Sequence, residues 1–284
     1  MADSKRFSDL PQVRGERLEV RPGRHLSVAF QPGDQRADTV VFLGHGSGGN
    51  KDQWRELWRR LGEQGYSRVA WDLLGHGDSD KPHGTEHYAW TALVADQLAL
   101  LERYAGPRNL VVAHSYGTGL TMSTLLEQPR RLPQVRIDGA LLLGSLLHRP
   151  QRGGGLLKLP AWVLQIIRPL LARDFRDRAW HPVADRALVA YEEGVARRNR
   201  LDVFKSLMNN AGWPEAQALA GLTLPIEVVS GDRDGLTPAT AGEALARQLP
   251  GGAFEVLGQC GHQLMLERPG EVWRAFERLV GRVG

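Results

Sequence analysis

The first residue of this sequence that could do covalent chemistry is a serine set between an apolar run and a helical pattern. Leu110-Val111-Val112-Ala113 leads into His114-Ser115-Tyr116-Gly117, which reads as a strand, a sharp turn and the start of a helix. In a small-x-Ser-x-Gly turn, backbone crowding admits only small side chains two residues either side of the serine. Ala113 and Gly117 meet that limit. The turn lifts the hydroxyl above the sheet and aims the next helix's first amides at it, where a developing oxyanion would be stabilised. A serine hydroxyl is a weak nucleophile at neutral pH, so a histidine must take its proton. Of nine histidines, His262 is best placed, in the loop Gly258-Gln259-Cys260-Gly261-His262 before the last helical pattern. His114 adjoins Ser115, where neighbouring side chains point apart, and His25, His148 and His181 lack such a loop. Those four read as packing or surface residues.

The histidine needs a carboxylate to fix its tautomer and stabilise the imidazolium. One strand pattern ends at Gly144 and is followed by Ser145-Leu146-Leu147, with no acid. Another ends at Ser230 and leads into Gly231-Asp232-Arg233-Asp234-Gly235. Asp234 is preferred, because Gly235 and Pro238 hold its turn; Asp232 would pair with Arg233 or cap the turn. Acyl transfer also needs two amide donors for the oxyanion. The residue after the nucleophile, Tyr116, offers one, and Ser47 in the turn His45-Gly46-Ser47-Gly48-Gly49 offers the other. That turn lacks the Gly-Lys-Ser/Thr ending and the dinucleotide spacing, so a nucleotide site is disfavoured.

Positioning these groups calls for a parallel sheet, and short apolar runs alternate with amphipathic stretches as such a sheet requires. Strands are expected over 17–20, 25–30, 39–44, 67–72, 109–113, 138–144, 225–230 and 253–257, and helices over 52–63, 88–104, 116–127, 239–248 and 269–280. Residues 145–224 break this rhythm. They are rich in Arg, Pro and Trp and read as helices without strands, an insertion dividing a core of 1–144 and 225–284. The 284 residues are 42% apolar and 24% charged, which speaks against disordered, collagen-like and coiled-coil classes. One cysteine, Cys260, allows neither an internal disulfide nor a cysteine metal cluster. No run nears the ~20 apolar residues of a membrane span and no signal-peptide run opens the chain, so a soluble cytoplasmic protein is expected. The net charge of +4 is local: residues 145–215 hold 12 Lys+Arg against 7 Asp+Glu, and the rest 24 against 25. With no reader motif beside it, this excess gives no support to nucleic-acid binding.

Four blocks resemble the α/β-hydrolase superfamily over about residues 17–280. They are Gly44-His45-Gly46-Ser47-Gly48-Gly49; Asp72-Leu73-Leu74-Gly75-His76-Gly77-Asp78-Ser79; Ala113-His114-Ser115-Tyr116-Gly117 with Gly231 to Asp234; and Gly261-His262. Within the superfamily the chain looks closest to the serine esterase and lipase branch, since the His-Ser-Tyr-Gly turn and the text around Trp213-Pro214-Glu215 also fit there. The resemblance implies a mostly parallel eight-stranded α/β-hydrolase sheet with an inserted helical cap. It also implies an acyl-enzyme mechanism without cofactor or metal, in which Ser115 attacks, His262 shuttles the proton, Asp234 orients His262, and the Ser47 and Tyr116 amides hold the oxyanion. Epoxide hydrolases and haloalkane dehalogenases of this scaffold use an aspartate nucleophile, so Ser115 argues against both. The Asp72 to Ser79 block reads as a tight structural turn.

The stretch from Leu156 to Leu171 is apolar on nearly every face and would cover the serine, with Trp162, Leu164 and Ile167 lining an acyl or aromatic pocket. The expected substrate is a small-molecule ester. A basic, Trp-bearing cap also suits peripheral contact with anionic membrane, against a plain cap with solvated arginines. The same triad serves carbon-carbon bond hydrolases, lactonases and thioesterases, and an idle scaffold serving as a binder is the reading from another class. Oligomeric state is not legible here.

Overall fold

The computed structural model describes residues 9–149 and 161–284. An eight-stranded sheet forms from β1 (Glu16–Arg21), β2 (Arg24–Gln31), β3 (Arg36–Gly44), β4 (Tyr66–Trp71), β5 (Arg108–His114), β6 (Gly139–Leu143), β7 (Ile226–Gly231) and β8 (Gly252–Leu257), in the order β1-β2-β4-β3-β5-β6-β7-β8. The pairs β1/β2 and β2/β4 are antiparallel and the rest parallel. Strands covered by helices on both faces have no polar side to show, and β4, β6 and β7 are buried at every residue. Successive side chains point to opposite faces, so β3 sends Val40 and Phe42 into one core layer and Val41 and Leu43 into the other. The first layer is closed by α2 (Trp90–Tyr104), α3 (Tyr116–Arg131) and α8 (Ala239–Gln248). The second is closed by α1 (Arg55–Glu63), the short α9 (Leu264–Glu267) and α10 (Pro269–Arg282), through Leu57, Leu61, Leu264, Val272, Phe276 and Leu279.

Each expected strand is present within a few residues. The helix expected from residue 52 divides into a 3-10 turn, Lys51–Trp54, and α1, since Asn50 caps the turn by accepting from the Asp52 amide. The helix expected over 116–127 continues to Arg131 with Pro129 in its last turn.

Between β6 and β7 the chain forms α4 (Ala161–Ala179), α5 (Arg186–Arg197), α6 (Leu201–Asn210) and α7 (Ala216–Leu219) and adds no strand among the described residues. Much of its positive charge is paired, Arg176 and Arg197 with Glu193 and Arg178 with Asp174. Ile166 and Leu170 are exposed on α4. No helix among the described residues is long and apolar enough to cross a membrane.

The segment between β6 and β7 docks on the core through apolar side chains, Trp180, Val203 and Leu207 among them, and through polar groups. Glu192 of α5 is buried and accepts from Gln53 Nε2 at 2.8 Å, while the Tyr191 hydroxyl donates to Asp52 Oδ2 at 3.1 Å. Burial pushes the Glu192 carboxyl up to about 7, against the opposing Gln53 hydrogen bond. A carboxyl raised in the folded state binds a proton that the unfolded chain has released, so stability falls as pH rises from the ordinary carboxylate range to about 7. Glu192→Gln is therefore expected to raise the melting temperature at pH 8 and to change little at pH 4. Thermal melts across that range test this; equal shifts at both ends would refute it.

Candidate active site

All the residues singled out for chemistry leave the sheet at one edge, because β3, β5, β7 and β8 run parallel and their following loops emerge together. Ser115 follows β5 directly, with φ 51° and ψ −121°, a left-handed φ that costs a non-glycine residue about 1–3 kcal/mol. Its amide donates to the Leu143 carbonyl at 2.9 Å, which ties the turn to β6. The crowding is measurable at Gly117, where a Cβ would lie 2.6 Å from the His45 carbonyl oxygen and 2.9 Å from that of Gly44.

His262 Nε2 lies 2.9 Å from Ser115 Oγ, and His262 Nδ1 lies 2.7 Å from Asp234 Oδ2. Asp234 accepts with its other oxygen from the Leu236 amide at 2.8 Å and the Thr237 amide at 2.7 Å, and its Oδ2 also takes the Thr237 hydroxyl. Burial opposes ionisation of this carboxyl, but the His262 imidazole beside it and these donors outweigh it and hold the group below the usual carboxylate range. With Nδ1–H directed at the carboxylate, Nε2 is left with a lone pair toward the serine hydroxyl. The histidine is fixed from outside as well, its amide donating to the Ala179 carbonyl at 2.7 Å and its carbonyl lying 2.8 Å from His114 Nε2. Burial drives His114 down to about 3, with the neighbouring His262 adding to it, so His114 stays neutral and serves as that donor.

Asp232 turns out to hold the histidine loop. Its carboxylate accepts the Gln259 and Cys260 amides at 3.0 and 2.9 Å, fixing the turn in which Gln259 has φ 53°. This carboxylate brace was not legible in the sequence, which offered Asp232 only as a partner of Arg233 or a turn cap, because the amides it accepts lie 27 and 28 residues away.

Tyr116 follows Ser115 directly, and the loop that carries Ser47 approaches the serine through Gly46. Tyr116 opens α3 and is buried, and a first-turn amide has no carbonyl one turn back to reach. Gly46 lies so close that a Cβ there would sit 2.8 Å from Ser115 Cβ, and half-buried Ser47 follows it. The loop is pinned by two histidines that sequence reading left unassigned. His45 Nε2 accepts from the Leu73 amide at 2.9 Å, so its Nδ1 carries the proton and donates to the Gly46 carbonyl at 2.7 Å. His76 Nε2 accepts from the Gly48 amide at 3.0 Å. A charged imidazolium could not accept, and burial pushes His45 down to about 4 and His76 to about 3. In a trans peptide the amide points opposite to the carbonyl, so fixing the Gly46 carbonyl fixes the Ser47 N–H. The Asp72 to Ser79 block thus reaches the candidate site through His76. Asp72 itself accepts from the Lys51 and Asp78 amides and pairs with Lys51 Nζ at 2.7 Å, which ties the turns together.

Above the turn, Trp90, Tyr116 and Trp213 form an aromatic cluster with ring centroids 5.3 to 6.2 Å apart. It fastens the return of the insertion to the base of α3, and the Tyr116 hydroxyl donates to the Leu207 carbonyl at 3.2 Å. Of the three residues expected to line a pocket, Ile167 is half-buried on α4. Trp162 and Leu164 lie on the same helix, with side chains outside the described residues. No cluster of His, Cys, Asp and Glu able to hold a metal ion occurs among the described residues, and burial keeps the Cys260 thiol protonated.

The sequence model of the alpha/beta hydrolase family matches residues 40–275. The chain belongs to the α/β-hydrolase family. It is 30% identical over 237 residues to Protein ABHD8 of Homo sapiens, covering 82% of this chain and 53% of that protein. The chain thus spans about half the length of the curated relatives it matches. Among solved structures it is similar to an esterase from Exiguobacterium antarcticum, with a TM-score of 0.79 and 18% identity over 95% of this chain and all of that one. It is also similar to the enol-lactonase of Burkholderia xenovorans LB400, with a TM-score of 0.77 and 19% identity over 93% and 99% of the two chains. At these identities the likeness shows the α/β-hydrolase fold, with its mostly parallel sheet and flanking helices.

Proposed function

We propose that the protein is a serine hydrolase that cleaves carboxylic esters with an apolar acyl or aromatic part through an acyl-enzyme intermediate. The observation that carries this reading is the continuous relay from Ser115 Oγ through His262 to Asp234, with contacts of 2.9 and 2.7 Å. In it His262 takes the serine proton as the oxygen attacks the ester carbonyl, and the Ser47 and Tyr116 amides receive the charge that develops on the carbonyl oxygen. His262 then returns the proton to the leaving alcohol, and a water molecule repeats the sequence to release the acid. In this reading the helical insertion acts as the cap, with half-buried Ile167 of α4 on its acyl-facing side. No cofactor is required by this chemistry.

A fluorophosphonate probe is expected to label Ser115, as read by peptide mapping. A series of p-nitrophenyl esters of increasing acyl length is expected to show turnover, with the optimum reporting the reach of the cap. An unlabelled Ser115 together with no turnover across esters, lactones and thioesters would end the reading. Peripheral membrane contact through the cap is a further proposal, resting on exposed Ile166 and Leu170; co-sedimentation with anionic vesicles tests it.

A further inference from the structure

The loop that carries Ser47 is held one peptide at a time. The Gly46 carbonyl is taken by His45 Nδ1 at 2.7 Å, and by the Gly49 amide at 3.2 Å. The next peptide is fixed by His76, which receives the Gly48 amide at 3.0 Å. The third is fixed from a different part of the protein: Asn199, just past the end of α5, donates through Nδ2 to the Gly48 carbonyl at 2.7 Å. Of the three side chains that hold the loop, two come from the core and one from the insertion. Gly48 has φ 84°, a conformation open to glycine at little steric cost and therefore one that needs external ties to stay in place.

Asn199 is itself held. Its amide donates to the Ala196 carbonyl at 3.1 Å, and its carbonyl accepts from Arg168 Nη2 of α4 at 3.2 Å. The same guanidinium nitrogen reaches the Arg197 carbonyl at 2.6 Å. A chain of contacts therefore runs from α4 through the end of α5 to the third peptide of the loop. The buried Gln53–Glu192 contact anchors α5 a few residues further along the core.

We infer that Asn199 is a positioning residue through which the docked insertion holds the Ser47 amide in its oxyanion-binding direction, so that docking of α5 and competence of the site are coupled. The inference rests on the reading of Ser115 as the nucleophile and of the Ser47 amide as an oxyanion donor. A donor that is misaimed stabilises the transition state less while leaving ground-state binding nearly intact, so the loss falls on kcat.

The test compares Asn199→Ala and Asn199→Asp in the full chain. Asn199→Ala is expected to lower kcat about tenfold, with KM within about twofold of wild type, because the loop loses one of three ties and not the donor itself. Asn199→Asp keeps the shape but sets a carboxylate against the Gly48 carbonyl, so above the carboxylate pKa it is expected to be slower than Asn199→Ala. Loss of packing alone would give the opposite order. A readout independent of turnover is amide hydrogen exchange at Gly48, expected to accelerate at least about fivefold in Asn199→Ala as the loop loosens. An aspartate variant faster than the alanine variant, a change confined to KM, or unchanged exchange at Gly48 would overturn the inference. A wild-type protein that fails to label with fluorophosphonate would instead remove the nucleophile reading, and the exchange measurement would still decide the positioning of the loop.

Discussion

Ser115→Ala is expected to reduce ester turnover by about a million-fold, with substrate affinity nearly unchanged. The size follows from the way nucleophile and base act as one unit: without the oxygen, the base has no proton to take and no acyl-enzyme can form. The rate left over, roughly a thousandfold above water, would come from the oxyanion donors and from binding alone. Steady-state kinetics with a chromogenic ester gives the ratio, and a variant retaining more than about a hundredth of wild-type kcat would show that another residue attacks. The same position carries a stability prediction of the opposite sign. With φ at 51°, Ser115 holds strain that a glycine would not. Ser115→Gly should therefore unfold about 1–2 kcal/mol less readily than Ser115→Ala, as denaturant titration would reveal.

Asp234→Asn is expected to lower kcat about ten-thousandfold, the effect of a wrong tautomer and not of a lost side chain. An asparagine can keep its oxygen toward the Leu236 and Thr237 amides, which donate to Oδ1 at 2.8 and 2.7 Å. Its nitrogen then faces His262 Nδ1. Two donors cannot meet, so the imidazole must move its proton to Nε2, where the serine needs a lone pair. Thr237 offers a partial escape, since its hydroxyl lies 3.1 Å from His262 Nδ1 and can accept in place of the carboxylate. Thr237→Val in the Asp234→Asn background should therefore cost further activity. Were the double variant no slower than the single one, the hydroxyl would have no such part. The stability of the wild type carries the matching pH signature. Asp234 is held below the usual carboxylate range, so its stabilising contribution is present above the ordinary carboxylate pKa and is lost as pH falls through the depressed one. Asp234→Asn should flatten that acid limb of the stability curve.

The two predictions draw on different kinds of information. The candidate nucleophile is readable from five residues because the turn is local: strand, strained serine and helix follow one another, and the small side chains the turn demands stand at Ala113 and Gly117. The strands were readable for the same reason, since a run apolar at every position has few fates besides a sheet covered on both faces. His262 and Asp234 could be placed only through the topology, as residues after strands that end at one edge. Asp232, His45, His76 and Asn199 carried no such signal, because each acts on a backbone group of a distant segment, and Thr237 carried none because it acts on the side chains of Asp234 and His262. The Asn199 to Gly48 contact spans 151 residues.

What the sequence determined by itself is the alternation of buried strands and covering helices, the identity of the strained serine, and the order in which serine, carboxylate and histidine leave the sheet. Tertiary structure brought Asp234, the acid the sequence already favoured, against the imidazole, and it alone made Asp232 a brace for the histidine loop. It also decided that the glycine-rich loop is clamped by neutral imidazoles and by an asparagine of the insertion. The physical reason is range. Periodicity and turn strain are set by residues next to one another, whereas a hydrogen bond from a side chain to a remote carbonyl exists only once the chain has closed on itself.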